Sequence, residues 1–195
     1  MKILIGCEES GVVRDAFLNR GHDAYSCDLL HRDHERHITG DIMDILDGGW
    51  DLIILHPPCT ALAVSGNAHY GRGKAKYNER IESIAWTELL FNRAKSFCNH
   101  VALENPVGVL PFKASQYIQP FDFGHAESKK TGFWLHNLPR LLPTNVVEKP
   151  ECGYWDNQTP SGQNKLGPSP DRQRIRSQTY AGIAQAMADQ WGNLC

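Results

Sequence analysis

The fold is decided by residues 2–28, KILIGCEESGVVRDAFLNRGHDAYSCD, which predict a strand, a turn, a helix and a second strand. The apolar run KILIG (2–6) predicts the first strand and ends in a glycine. Apolar residues at near-helical spacing follow in GVVRDAFLNRG (11–21), whose closing glycine is typical of a helix end. HDAYSCD (22–28) predicts the second strand, so the segment indicates the strand–helix–strand unit of a parallel sheet.

The same alternation continues along the chain. Further strands are predicted at 51–55, 100–105 and 131–135, and further helices at 78–97 and 178–192. Asn78 is the expected N-cap of the long helix. These elements predict an α/β, Rossmann-like fold with a mainly parallel sheet and helices on both faces.

Size and composition predict one globular domain, 1–195. The chain is 41% hydrophobic and 22% charged, and no apolar run approaches the roughly 18 residues of a membrane span. The start lacks a secretory signal pattern, so a cytoplasmic protein is expected. Six scattered cysteines without a CxxC pair argue against a disulfide scaffold or a zinc ribbon. The Pro- and Gly-rich stretch 139–177 is predicted to be an irregular insertion.

Charge is unevenly distributed. The net charge of −2 counts mildly against extensive nucleic-acid binding, but basic residues cluster in GRGKAKYNER (71–80) and DRQRIR (171–176). Each cluster is either a solvated surface loop or a set of phosphate contacts. The histidines of HRDHERH (31–37) are expected in a solvated loop, because no cysteine–carboxylate set completes a site at metal-ligand spacing. No metal is predicted.

The first turn suits a nucleoside cofactor without a phosphate. Gly6 and Gly11 allow a tight turn, and Asp28 lies 28 − 6 = 22 residues after Gly6, where an acidic residue usually holds ribose hydroxyls. Glu8 beside the turn would repel a pyrophosphate, which favours S-adenosylmethionine over NAD. Asp41 is either an acceptor for an adenine amino group or a turn aspartate. An ordinary βα turn is the alternative for the whole segment.

A cysteine stands directly beyond a strand end in HPPCTALAVSGN (56–67). Pro57 and Pro58 must end the preceding strand, because proline cannot donate to a sheet ladder, and Cys59 follows at once. Glu104 ends the strand predicted at 100–105. If the two strands are neighbours, a thiol and a carboxyl group face one pocket, which suits nucleophilic attack on a pyrimidine ring. A small buried hydrophobic cysteine is the alternative.

Taken in order, these segments resemble the DNA cytosine-5 methyltransferase family, whose fold is the class I S-adenosylmethionine-dependent methyltransferase fold. The matching segments run from Gly6–Gly11 through Asp28, GDI (40–42), PPC (57–59), ENP (104–106) and KKTGFWLHNLP (129–139) to YAGIAQAMADQW (180–191). The resemblance implies three sets of site residues. Implied as catalytic are Cys59, Glu104 and Lys129; as cofactor-binding, Gly6, Glu8, Ser10, Gly11, Asp28, Asp41 and Pro57; as nucleic-acid-binding, Arg72, Lys74, Lys76, Lys130, Arg172 and Arg174.

The implied mechanism is specific. Cys59 adds to C6 of cytosine while Glu104 holds or protonates N3, so that C5 takes the methyl group of S-adenosylmethionine. Loss of the C5 proton then expels Cys59. The chain departs from the family at Glu8, where a glycine is usual, and at Thr131, which replaces an arginine. It also has only the stretch 139–177 where the family has a target-recognition domain.

Three functions therefore stay open at this point. The first is a minimal DNA cytosine-5 methyltransferase, whose DNA binding would weaken steeply with salt. The second is the same chemistry on a free cytosine nucleotide such as dCMP or dCTP. The third is a methyltransferase fold without activity that binds DNA or a partner protein. An amino methyltransferase fits poorly, because His56 and Cys59 lack the acceptor and the aromatic ring that such enzymes need around two prolines.

Overall fold

Seven strands form one sheet in the computed structural model, which describes residues 1–194. The strands are β1 (Lys2–Gly6), β2 (Asp23–Asp28), β3 (His37–Thr39), β4 (Leu52–Leu55), β5 (Val101–Pro106), β6 (Gln116–Ile118) and β7 (Thr131–His136). The α-helices are α1 (Val12–Leu18), α2 (Asn67–Tyr70), α3 (Tyr77–Phe97), α4 (Arg172–Ser177) and α5 (Ala181–Trp191). Short 3-10 turns occupy Ile42–Asp44, Val64–Gly66 and Pro120–Asp122.

The strand order is β3-β2-β1-β4-β5-β7-β6. The first five strands of that order are mutually parallel, and β7 runs antiparallel to both β5 and β6. The chain leaves β1 toward β2 and β3 and returns on its other side with β4, so the strand order reverses between β1 and β4. Ligands of open α/β sheets bind beyond the carboxyl ends of the strands at such a point. The predicted α/β class with a mainly parallel sheet is confirmed.

Apolar layers cover both faces of the sheet, as the sequence predicts. Alternate residues of a strand point to opposite faces, so Ile3 and Ile5 pack with α1 and α5, while Leu4 packs with α3 and the turn at 42–44. The largest residue of the first layer is Trp191, which is fully buried. The two layers hold the sheet between them and leave its carboxyl edge to the connecting loops.

Most predicted elements are present within three residues of their predicted ends, but three details are different. Asn78 is not the cap of α3, because the helix begins one residue earlier with Lys76 at the N-cap and no side-chain cap hydrogen bond. The segment 171–176 is not a loop but mostly the short helix α4. The strands β3 and β6 were not predicted, because three residues are too few to show a periodic pattern. Within residues 1–194, no helix is long and apolar enough to cross a membrane.

Candidate functional site

Two candidate catalytic residues lie at the carboxyl ends of neighbouring strands: Cys59 follows β4, and Glu104 lies in β5 two residues before its end. β4 and β5 are parallel partners with Leu55 opposite Leu103, so the condition that the sequence left open is met. The next residue of each strand then meets its counterpart: His56 Nδ1 lies 3.2 Å from Glu104 Oε2. Asn105 Nδ2 donates to the Pro57 carbonyl oxygen at 3.1 Å, which ties the two segments together once more. The sequence segments HPPC and ENP therefore form one edge of one site.

Cys59 stands at the start of a turn that the prolines set up. Pro57 is buried and Cys59 is half-buried. The Cys59 carbonyl oxygen accepts hydrogen bonds from the backbone of Leu62 at 3.0 Å and of Ala63 at 2.9 Å. These bonds curl the chain immediately after the thiol, so the cysteine occupies the rim of the sheet rather than its interior.

Arg80 clamps the segment that follows the thiol. This residue is only 5% exposed, although the sequence places it in a basic surface cluster. Its Nε donates to the Ala61 carbonyl oxygen at 2.6 Å, its Nη2 to the Ala63 carbonyl oxygen at 3.3 Å, and its Nη1 to Asn67 Oδ1 at 2.8 Å. A single side chain of α3 thereby holds residues 61–67 in place.

The opposite side of this segment is paired with the chain beyond Glu104. Val109 donates its backbone N–H to the Leu62 carbonyl oxygen at 3.0 Å, and Val64 donates to the Val107 carbonyl oxygen at 3.1 Å. A Cβ atom on Gly108 would overlap the Leu62 carbonyl oxygen, so glycine is required for this close approach. The loop that carries Cys59 is thus held from two sides.

Burial and neighbouring charges shift the pKa values of Cys59 and Glu104. Burial raises the pKa of the Cys59 thiol and the charge of Glu104 raises it further, whereas the charges of Lys129 and Arg176 act to lower it. Burial also acts to raise the pKa of Glu104, but the hydrogen bond and charge of His56, with the charge of Lys129, outweigh burial and place that pKa below its ordinary value. In the free protein Glu104 is therefore a carboxylate and Cys59 a protonated thiol near neutral pH.

His56 has one ring nitrogen that donates to Glu104 and another that is buried without a partner among the described residues. Because a carboxylate only accepts hydrogen bonds, His56 Nδ1 is the donor to Glu104. His56 Nε2 and Asn105 Oδ1 are both buried and have no hydrogen-bond partner among the described residues. Unsatisfied buried polar atoms are rare in folded proteins and often mark functional sites. The sequence analysis missed His56, whose signal was its place directly before the two prolines.

Lys129 is held by the insertion. Its Nζ donates to the Arg176 carbonyl oxygen at 2.7 Å, and its backbone N–H donates to Gln119 Oε1 at 3.1 Å. Beside it, Asn157 and Ser128 exchange two hydrogen bonds of 3.1 and 2.9 Å. The stretch 139–177 therefore folds back onto the segment that leads into β7. Arg176 belongs to the basic cluster that the sequence identifies at 171–176, but its contact with Lys129 was not expected.

A cavity of about 700 Å³ opens beside Lys129. Its walls are the approach to β7, the insertion around 157–166, and the chain from the end of α4 to the start of α5. Basic side chains dominate its ionisable lining, with Lys129, Lys165 and Arg176 against the single acid Glu127.

The predicted cofactor turn differs from expectation at Gly6. The glycine conformation is ordinary, and a Cβ there would come within 2.9 Å of the Leu55 and Ile42 side chains, so packing rather than the turn requires it. The turn itself uses positive φ angles at Cys7 (58°) and Gly11 (75°). A non-glycine residue rarely adopts such an angle. Of the two glycines, only Gly11 has the turning role that the sequence predicts.

Glu8 and Ser10 cap α1. Glu8 Oε1 accepts from the Val13 backbone N–H at 2.8 Å and from Ser10 Oγ at 3.1 Å, and Oε2 accepts from the Arg14 N–H at 3.4 Å. Glu8 is 5% exposed. Its carboxylate occupies the helix end at which a dinucleotide-binding fold holds a pyrophosphate. These contacts add a structural role to the cofactor role predicted for both residues.

Asp28 and Asp41 lie together near Cys7. Burial raises the pKa of the Cys7 thiol, and the charges of Asp28, Cys27 and Asp41 raise it further, so these groups surround the turn. Asp28 Oδ1 accepts from the Leu30 N–H and Asp41 Oδ1 from the Met43 N–H, each at 2.9 Å. Asp41 thus caps the turn at 42–44, the alternative that the sequence left open, and the second oxygen of each carboxylate has no hydrogen-bond partner among residues 1–194.

The predicted phosphate contacts are exposed or bound within the chain. Arg72, Lys74 and Lys76 are exposed, and Lys76 Nζ lies 3.5 Å from Glu79 Oε1. Lys130 is exposed and lies 4.9 Å from the ring centre of Tyr117. In α4, Arg174 pairs with Asp171 at 3.4 Å, and Arg172 Nε donates to the Leu166 carbonyl oxygen at 2.9 Å.

The histidine-rich segment serves the packing of the sheet edge. His37 Nδ1 lies 2.8 Å from Ser26 Oγ, and its Nε2 lies 3.0 Å from the Leu30 carbonyl oxygen. Ser26 Oγ also accepts from the buried Arg14 at 2.9 Å. Among residues 1–194, no group of three or more His, Cys, Asp or Glu side chains is arranged to hold a metal ion.

Comparison of the sequence with known protein families finds no matching family model, and comparison with curated proteins finds no significant match. The functional interpretation of the site therefore depends on its residues and their geometry.

Proposed function

We propose that the chain transfers a methyl group from S-adenosylmethionine to C5 of cytosine in DNA through a covalent adduct with Cys59. One observation carries the proposal: a thiol and a carboxylate stand at the carboxyl ends of two neighbouring strands, the carboxylate raises the pKa of the thiol, and the charge of Lys129 acts on both groups. A nucleophile paired with an acid–base group suits addition to an electron-poor pyrimidine ring.

Glu104 activates the base in this scheme. When the carboxyl group carries a proton and donates it to N3 of cytosine, electron density moves from C6 toward N3 and C6 accepts the thiolate. Net movement of the Cys59 proton to Glu104 forms the thiolate and removes the negative charge that raises the pKa of the thiol, and Glu104 then passes this proton to N3 as the thiolate attacks C6. His56 Nδ1 orients the carboxylate until the base arrives.

Cys59 completes the cycle. Its sulfur forms a bond to C6, which leaves C5 nucleophilic. Once C5 carries the new methyl group, the C5 proton leaves to a base, the N3 proton returns to Glu104, and the C6–sulfur bond breaks to release the thiolate and restore the ring. The loop clamp by Arg80 keeps Cys59 in position for both events, since a fixed nucleophile has less orientational freedom to lose in the transition state.

The residues at the first turn fit a nucleoside cofactor that lacks a phosphate. S-adenosylmethionine, when bound, supplies an electrophilic methyl group. Asp28 would hold ribose hydroxyls and Asp41 an amino group, and the exposed side chain of Leu29 gives the base an apolar surface. Glu8 fills the end of α1 with negative charge, which opposes a pyrophosphate and therefore NAD.

A free cytosine nucleotide is the second candidate substrate, and a specific observation favours it. The insertion binds Ser128 and Lys129 directly and walls the catalytic edge with the chain's own residues. A site closed in this way suits a small substrate better than a duplex, which needs open surface for both strands.

Intact-mass analysis tests the proposal. The protein is incubated with S-adenosylmethionine and a single-stranded oligonucleotide that contains 5-fluorocytosine, whose fluorine cannot leave C5. The expected result is a stable adduct that maps to Cys59, disappears in Cys59→Ala and persists in the exposed-thiol control Cys152→Ser. Methylation of dCMP with no adduct on the oligonucleotide would select the second candidate. Neither adduct nor product in the presence of bound S-adenosylmethionine would overturn both.

A further inference from the structure

The cavity beside Lys129 has the size and position of a ligand subsite. Its volume of about 700 Å³ lies within the range of roughly 300–1,000 Å³ found for small-molecule sites. Lys129 lines it, and the adjacent Lys130 accepts a backbone hydrogen bond of 3.5 Å from Val107, three residues beyond Glu104, so the cavity lies next to the end of β5.

The charge of the lining is positive and is not balanced within the described chain. Lys129, Lys165 and Arg176 line the cavity, and none of the three forms an ion pair with an acidic side chain among residues 1–194. The acid in the lining, Glu127, accepts a hydrogen bond of 2.6 Å from the Tyr180 hydroxyl. Three cations against one engaged carboxylate create a field that attracts an anion.

The neutral polar groups of the lining favour the same kind of ligand. Gln158 Oε1 accepts from the Trp155 N–H at 3.2 Å, and Asn164 Oδ1 accepts from the Leu166 N–H at 2.9 Å. Both side-chain oxygens are therefore used within the insertion, and the NH₂ groups are left to donate. These two residues are also paired across a β-bridge, which places them side by side. The free NH₂ groups of these two residues match the oxygen atoms of a phosphate.

We propose that this cavity is a phosphate subsite, built mainly by the insertion, for the nucleotide whose base reacts at Cys59. The inference rests on the proposed function for the identity of the base. A cytosine at Cys59 carries a phosphate one sugar away, and the cavity lined by Lys129 lies next to the end of β5. The phosphate comes either from a free nucleotide or from the backbone of a strand.

Binding measurements test the subsite without requiring catalysis. Titration calorimetry compares dCMP with deoxycytidine, which lacks the phosphate, and with a short single-stranded oligonucleotide containing one cytosine. The wild-type protein is expected to bind one of the two phosphate-bearing ligands at least tenfold more tightly than deoxycytidine. Tighter binding of dCMP assigns the subsite to a free nucleotide, and tighter binding of the oligonucleotide assigns it to a strand.

Lys165→Gln is the diagnostic variant, because Lys165 lines the cavity and is exposed enough that its replacement spares the core. It is expected to weaken binding of the phosphate-bearing ligand about tenfold, the worth of one charge-assisted hydrogen bond, and to leave deoxycytidine unchanged. Lys149→Gln, an exposed lysine of the same insertion outside the cavity, is the matched control.

The outcomes separate this inference from the proposed chemistry. Equal binding of dCMP, oligonucleotide and deoxycytidine would overturn the subsite, as would equal affinities for Lys165→Gln and Lys149→Gln. Phosphate-dependent binding that Lys165→Gln weakens, with no 5-fluorocytosine adduct, would keep the subsite and reject the cytosine chemistry. An adduct that forms equally well in the wild-type protein and in Lys165→Gln would support the cytosine chemistry and reject the subsite.

Discussion

Replacing Arg80 with methionine tests whether the clamp on the Cys59 loop stabilises the fold. The change keeps much of the length and apolar stem of the side chain and removes the guanidinium. Three acceptors then lose their donor: the carbonyl oxygens of Ala61 and Ala63, and Asn67 Oδ1. Asn67 is exposed and regains water, whereas Ala61 and Ala63 are buried and do not.

The expected magnitude follows from the two buried carbonyl groups. Leaving a buried polar atom without a partner costs about 1–3 kcal/mol. Two such atoms destabilise the fold, while removal of the buried guanidinium relieves the cost of its desolvation. The net loss in the free energy of unfolding is expected to be about 3 kcal/mol. Arg80→Lys keeps the charge and one donor at a time, so about half of that loss is expected.

Urea unfolding followed by tryptophan fluorescence measures the effect. Arg72→Met, on an exposed residue of the same basic cluster, is the control and is expected to change the free energy of unfolding by less than about 0.5 kcal/mol. Equal midpoints for Arg80→Met and Arg72→Met would refute the clamp. An increase in stability for Arg80→Met would mean that desolvation of the guanidinium outweighs its three hydrogen bonds.

Three further predictions concern the same edge of the sheet and the turn beside it. In Gly108→Ala the new Cβ would overlap the Leu62 carbonyl oxygen, and urea unfolding is expected to show a loss of about 2 kcal/mol in stability. Gly167→Ala is the control and is expected to be neutral, because a Cβ there meets nothing within 4 Å. Equal effects of the two changes would show that the close approach at Gly108 does not matter for stability. Because burial and the charge of Glu104 raise the pKa of Cys59, its alkylation by iodoacetamide is expected to rise at higher pH than that of an ordinary thiol. In Glu104→Gln the profile should move to lower pH, and an unmoved profile would show that the carboxylate does not act on the thiol. Glu8→Ala removes the acceptor at the start of α1 and is expected to cost about 1 kcal/mol of stability by thermal or urea unfolding; no loss would mean that water replaces the cap.

Local patterns predict the elements of this protein because each depends on neighbouring residues. The apolar run predicted as a strand at 51–55 is the strand Leu52–Leu55, and Pro57 must end it, so the position of Cys59 just beyond the strand follows from sequence alone. The acidic residues Asp28 and Glu104 are likewise placed at or near strand ends by the strands they follow. Their presence at one edge of a parallel sheet needs no knowledge of distant contacts.

Other features depend on which distant segments meet. Arg80 belongs to a charged stretch by sequence, but α3 packs it under the Cys59 loop, where three acceptors hold it. Gly6 has the pattern of a turn glycine, and the neighbouring turn and strand make it a packing glycine instead. The sequence places Glu8 next to the turn, but only the tertiary structure shows that α1 points its first N–H groups at the Glu8 carboxylate.

The sequence by itself therefore determined the α/β class, the strand that stops at Pro57 and the placement of Cys59 and Glu104 at strand ends, because periodicity and proline geometry act over a few residues. Only the tertiary structure decided that β4 and β5 are neighbours, that β7 runs antiparallel beside them, and that Arg176 reaches Lys129. Those contacts join residues far apart in the chain, and their formation depends on how the whole sheet buries its two apolar faces rather than on any local pattern.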